Sequence, residues 1–170
     1  MIARLSLLFL CLAAAVTVLA QNSSDQVATA TCTFADGKQI SVRYLQPRTK
    51  QKQVFGKVVP FGKTWEPGGK PILLFTETTL TLNTATIPAG AYELYPEPGR
   101  GHWKLDIKRP LAKPGGNHSS ENIASVSLDE GRLGRPLSRF AIYFGRIGER
   151  QCNMRMYWGR TGVWAEFKEK

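Results

Sequence analysis

The heptapeptide His102-Trp103-Lys104-Leu105-Asp106-Ile107-Lys108 decides the fold class. Trp103, Leu105 and Ile107 fall on one side of an extended chain, and Lys104, Asp106 and Lys108 on the other. Strict alternation of this kind marks a strand with one face in the core and one in water. The same period recurs downstream, where Phe140, Ile142 and Phe144 form one stripe and Cys152, Met154, Met156 and Trp158 another. No window beyond the leader sustains the three- and four-residue recurrence of an amphipathic helix. The chain therefore reads as all-β.

Working outward, turn residues punctuate the strands. Asp36-Gly37 separates Ala30–Phe34 from Gln39–Leu45, Pro88-Ala89-Gly90 precedes Ala91–Tyr95, and Arg160-Thr161-Gly162 stands between Trp158 and Val163. Each is read as a hairpin or tight turn. With Ile72–Glu77, Thr79–Asn83, Ile123–Leu128 and Leu137–Gly145 the count reaches roughly nine or ten strands, typical of small antiparallel β architectures. The expected architecture is an antiparallel β-sandwich or a jelly-roll-like barrel. Gln46–Pro71, rich in Gly and Pro with isolated aromatics at Phe55, Phe61 and Trp65, is expected to be a long structured loop, and Pro110–Glu121 a second loop.

Composition sets the class. The 170 residues are 42% hydrophobic and 21% charged, values of an ordinary globular domain rather than a disordered or fibrous chain. At the N-terminus Arg4 is followed by an apolar run from Leu5 to Leu19 interrupted by Ser6 and Thr17. This is the pattern of a secretory signal peptide, with Val18-Leu19-Ala20 offering small residues for cleavage before Gln21. A retained anchor is the rival, but a spanning helix needs about 20 apolar residues. Cys11 sits mid-run, where a lipid-modified cysteine does not belong. The expected organisation is thus a signal peptide over 1–20 and a single β domain over 21–170, exported to a periplasmic or extracellular location with no transmembrane segment after cleavage.

Cleavage leaves two cysteines, Cys32 and Cys152. An even pair in an exported chain is a disulfide candidate, and both lie in inward-facing registers. Two buried free thiols are the alternative.

Charge is uneven. Of 23 Lys and Arg against 13 Asp and Glu, for a net charge of +10, seven cations lie from Arg43 to Lys70 with Glu66 the sole acid there. Seven arginines lie from Arg132 to Arg160 beside Glu149 alone. The fold could bring these two segments together into an anion-attracting surface, near Trp65, Trp158 and Trp164, whose rings could stack on sugars. A soluble basic surface without a ligand is the plainer reading.

Catalytic patterns are sparse. His102 and His118 lack metal-ligand spacing, so no metal and no cofactor is expected. No Gly-x-Ser-x-Gly elbow is present. Carboxylate pairs could be drawn from Glu66, Glu77, Glu93 and Glu97, as from any β protein with this many acids. The sequons Asn22-Ser23-Ser24 and Asn117-His118-Ser119 matter only in a eukaryotic source.

Three blocks carry a resemblance: Phe34-Ala35-Asp36-Gly37-Lys38-Gln39-Ile40-Ser41-Val42-Arg43-Tyr44, Val54-Phe55-Gly56-Lys57-Val58-Val59-Pro60-Phe61-Gly62-Lys63-Thr64-Trp65, and Ile87-Pro88-Ala89-Gly90-Ala91-Tyr92-Glu93-Leu94-Tyr95 with Trp103 following. In this order, over about Phe34 to Phe167, the chain resembles the bacterial exported domain-of-unknown-function family DUF2911. The resemblance implies bacterial origin and an envelope or extracellular location, and transfers no activity. Two departures stand out: Trp65 is followed by Glu66-Pro67-Gly68-Gly69-Lys70 in place of an arginine and a glycine-alanine-asparagine run, and Lys108-Arg109-Pro110 replaces a terminal asparagine. A ligand site built on those family positions would be altered here.

The functional expectation is a non-catalytic module binding an anionic envelope glycan, polymer or partner protein through Arg43, Lys63, Trp65, Glu66, Lys70 and His102. Nucleic acid is not expected, since export removes the chain from it and no binding motif is present. One alternative is a small secreted hydrolase of envelope material with Glu66 and His102 as acid and base. Another is a structural accessory domain without a small ligand.

Overall fold

A computed structural model describes residues 25–111 and 119–170. The leader, Cys11, both sequon asparagines and His118 lie outside the described residues. The strands are β1 (Gln26–Thr33), β2 (Gln39–Gln46), β3 (Ile72–Thr76), β4 (Leu80–Leu82), β5 (Ala85–Ile87), β6 (Gly90–Glu97), β7 (Trp103–Leu111), β8 (Ser119–Gly148) and β9 (Gln151–Glu169), with one turn of 3-10 helix at Pro67–Gly69. All pairings are antiparallel, in the order β1-β2-β3-β6-β7-β8-β9-β4-β5.

This all-β chain is one continuous nine-stranded sheet, not closed into a barrel. The closest approach to closure lies beyond β2. There Arg48 bridges Arg139 of β8, Phe140 N donates to Pro47 O at 3.0 Å, and Thr49 N donates to Ser138 O at 2.8 Å. These contacts do not extend into a ladder. They do show the sheet curling so that β2 meets the middle of β8, and Tyr44 confirms it: its hydroxyl accepts from Ile142 N at 2.8 Å.

Alternation sets the buried face. Ile40, Val42 and Tyr44 on β2, Ile72 and Leu74 on β3, Tyr92 and Leu94 on β6, and Trp103, Leu105 and Ile107 on β7 are all buried. The expected stripe on β7 is therefore the core face, and each buried apolar side chain contributes about 1.5–3 kcal/mol. Cys32 and Cys152 form a disulfide joining β1 to β9.

Several boundaries differ from expectation. Ile123–Leu128 and Leu137–Gly145 belong to one strand, β8, which bends through irregular registers instead of ending. Arg160-Thr161-Gly162 is no turn; it lies inside β9. Glycine there serves close approach: a Cβ on Gly162 would stand 2.7 Å from the Tyr157 ring, and one on the facing Gly131 2.9 Å from the Trp164 ring. Pro110 and Leu111 belong to β7 and Ser119–Glu121 to β8, so both ends of the expected second loop are strand, and the part between them lies outside the described residues. The Gln46–Pro71 loop is as read, with Val54, Phe55 and Val59 buried as plugs of the core.

Candidate functional site: a cationic cleft beside the β8 bulge

Between Arg132 and Leu137, β8 has four residues where β9, between Thr161 and Gly159, has one. The surplus bulges out and leaves carbonyls without ladder partners. Such orphaned groups need donors. Arg160 supplies them: its Nη1 donates to Gly134 O at 2.7 Å and to Leu133 O at 3.4 Å. Across the bulge, Gly159 adopts φ 59, and a Cβ there would stand 2.8 Å from Val54 Cγ2 and 3.3 Å from Lys52 O. Glycine thus lets the 52–55 loop lie directly on β9.

Between that loop and the bulge opens a cleft of about 700 Å3, lined by Lys52, Gln53, Val54, Phe55, Glu130, Gly131, Arg132, Arg160 and Thr161. Three cations face one carboxylate. Lys52 comes from the first basic segment and Arg132 and Arg160 from the second, so the fold brings the two together as anticipated. Lys52 and Arg132 are exposed and make no hydrogen bond or ion pair among the described residues. Cations in a concave wall focus positive potential and raise the local concentration of anions.

Beneath the cleft lies an aromatic cluster. Phe55 meets Trp65 at 5.4 Å and Trp103 at 4.6 Å edge to face, while Trp65 stacks on Trp158 at 5.4 Å and 14° and meets Phe140 at 5.0 Å. Such pairs contribute about 0.5–1.5 kcal/mol each beyond area burial. They hold the loop in place.

The residues singled out in the sequence divide into two groups. Arg43 on β2 and Lys70 after the 3-10 turn line a separate groove of about 270 Å3 with Val27, Tyr44, Leu45, Pro71 and Leu73. Lys63, Trp65 and Glu66 lie on the loop that runs beside the end of β6, where Gly62 N donates to Pro98 O and Trp65 N to Pro96 O, each at 2.8 Å. His102, exposed, immediately precedes β7. Glu66 and His102 share no hydrogen bond or ion pair. Trp65 is half-buried with one face taken by Trp158, itself buried, so these two of the expected stacking rings belong to the packed interior, while Trp164 is half-buried over Gly131. Sequence reasoning missed Lys52, Arg132 and Arg160 as individuals, although the two charge-rich segments contained them.

At the altered family positions, Lys108 Nζ lies 4.7 Å from the centre of the Tyr95 ring, and Arg109 donates to the Tyr92 hydroxyl at 3.3 Å. That hydroxyl raises the Arg109 pKa. Tyr95, which donates to Glu93 at 3.0 Å, has its phenol pushed up by burial and then by the Glu93 carboxylate.

The fold and the cleft define a class: a disulfide-tied antiparallel β domain with a cationic recess beside a strand bulge. The chain belongs to the DUF2911 family, described as a protein of unknown function, whose family model matches residues 23–167. No curated protein and no solved structure matches it. Among the described residues no helix is long and apolar enough to cross a membrane, and the disulfide fits an oxidising compartment.

Proposed function

We propose that this protein is an exported, non-catalytic binding module for an anionic envelope polymer, and that the Lys52–Arg132–Arg160 cleft is where the polymer lies. The observation that carries the reading is the meeting of two sequence-distant cationic segments in one concave site with Glu130 as its lone carboxylate. Arg160, fixed by the bulge carbonyls, shapes the recess; Lys52 and Arg132, exposed and unpaired, are available for carboxylate or phosphate groups. The leader supports export, and the disulfide supports an oxidising destination.

Retention on an anionic polysaccharide at low salt, with release as salt rises, tests the proposal, because screening shortens from roughly 30 Å at 0.01 M to about 8 Å at 0.15 M. A neutral dextran should not retain the protein at all. Equal retention on both, or none on the anionic polymer at low salt, would overturn the reading.

A further inference from the structure

The outer face of the sheet carries a second site of different chemistry. Register places Val27 of β1 opposite Leu45 of β2, and Arg43 of β2 between Thr29 and Leu73 of β3. All of these point away from the core. At the end of these strands, Val27, Leu45, Pro71 and Leu73 line the 270 Å3 groove, whose charged members are Arg43 and Lys70. Val27 is 50% exposed, and Phe75, two residues along β3 on the same face, is 44% exposed. A partly exposed row of apolar side chains on a sheet face costs solvation free energy that a polar surface does not bear.

The rim is built by the Glu66–Pro71 turn. Gly68, at φ 67, is pressed so close to β2 that a Cβ would stand 2.9 Å from Leu45 Cβ and 2.6 Å from Asp25 Oδ2. This seating delivers Lys70 and Pro71 to the groove mouth. Arg43 and Lys70 make no hydrogen bond or ion pair among the described residues, and Asp25, the acid beside the turn, pairs with neither. Two unpaired cations over an aliphatic floor complement a ligand with an anionic head and an apolar tail.

We propose that this groove binds a free, single-chain anionic amphiphile, with its acyl tail over Val27, Leu45, Pro71 and Leu73 and its carboxylate or phosphate held by Arg43 and Lys70. Size favours one tail: ligand pockets span roughly 300–1,000 Å3, and this groove lies just below that range. None of its lining residues is shared with the polymer cleft. It stands or falls independently of that site.

The experiment titrates the purified exported protein with decanoate below its micellar concentration, followed by backbone amide NMR shifts. Saturable binding with the largest shifts at Val27, Leu45 and Leu73 is expected. Decanol, which has the tail without the charge, should bind about tenfold or more weakly, a difference of about 1.4 kcal/mol. In R43Q/K70Q, decanoate should fall to the level of decanol with an unchanged melting temperature, because both side chains are exposed and unpaired. V27S should weaken decanoate and decanol alike. The proposal is overturned by any of three results: no saturation by decanoate, full decanoate affinity in R43Q/K70Q, or binding seen only with phosphatidylglycerol vesicles. The last would reassign the face to a bilayer surface.

Discussion

Gly159 shows how much of the site depends on one backbone conformation. Its φ of 59 lies in the left-handed region, which a Cβ disfavours, and the space a Cβ would need is already occupied by Val54. Gly159→Ala is expected to cost about 1–3 kcal/mol and to lift the Lys52 loop from β9, measured as a lower melting temperature together with weaker polyanion retention. Unchanged retention would separate the loop from the site. Tyr44 gives a prediction of the opposite kind, in pH. Burial raises its phenol above the ordinary 10.0, with the hydrogen bond its oxygen accepts from Ile142 N acting the other way. Tyr95 is raised by burial and by Glu93. A tyrosine whose folded pKa exceeds its unfolded one contributes stability that is fully present below about pH 10 and lost as pH rises through the folded value. Denaturant midpoints should therefore hold steady at neutral pH and fall above about 10. In Y44F that alkaline fall should be shallower, from a lower starting stability because Ile142 N loses its acceptor, a loss of about 1–3 kcal/mol.

At the scale of elements, the β8–β9 hairpin carries both stability and site. Cys152 ties β9 to Cys32 on β1 across a sequence separation of 120, and closing a loop of that length stabilises by about 4–5 kcal/mol on the chain-entropy model. Reduction under native conditions, or C32A/C152A, should lower the melting temperature markedly while leaving the far-ultraviolet β signal in place at low temperature. The bulge in the same hairpin explains where sequence reading stopped. Strand identity was legible because Trp103, Leu105 and Ile107 alternate with charged residues, and the inward registers of Cys32 and Cys152 were legible for the same reason. The bulge was not, because Gly131, Gly159 and Gly162 carry the same letters whether they make a turn or admit a ring or a loop. Only the rings of Trp164 and Tyr157 over Gly131 and Gly162 distinguish the cases. Likewise Trp65 reads as an exposed platform until Trp158 is found stacked on it. Local alternation reports which way a side chain points; it does not report what a distant segment places there.

For the whole molecule, a curled sheet leaves its excess cations outside an apolar interior, and the two basic segments converge because the loop after β2 crosses to the middle of β8. The net charge of +10 is a general attraction for anions, whereas Lys52 and Arg132 make a local one. In K52Q/R132Q, affinity for an anionic polysaccharide should fall roughly fivefold to tenfold with weaker salt dependence, while neutralising two arginines elsewhere, Arg146 and Arg155, should change it far less. The most direct test maps contact rather than affinity: backbone amide shifts recorded while polygalacturonate is added at low salt. The account predicts the largest changes at 52–55, 130–132 and 160–161. Changes centred instead on Trp65, Glu66 and His102, or spread evenly over the basic surface, would contradict it.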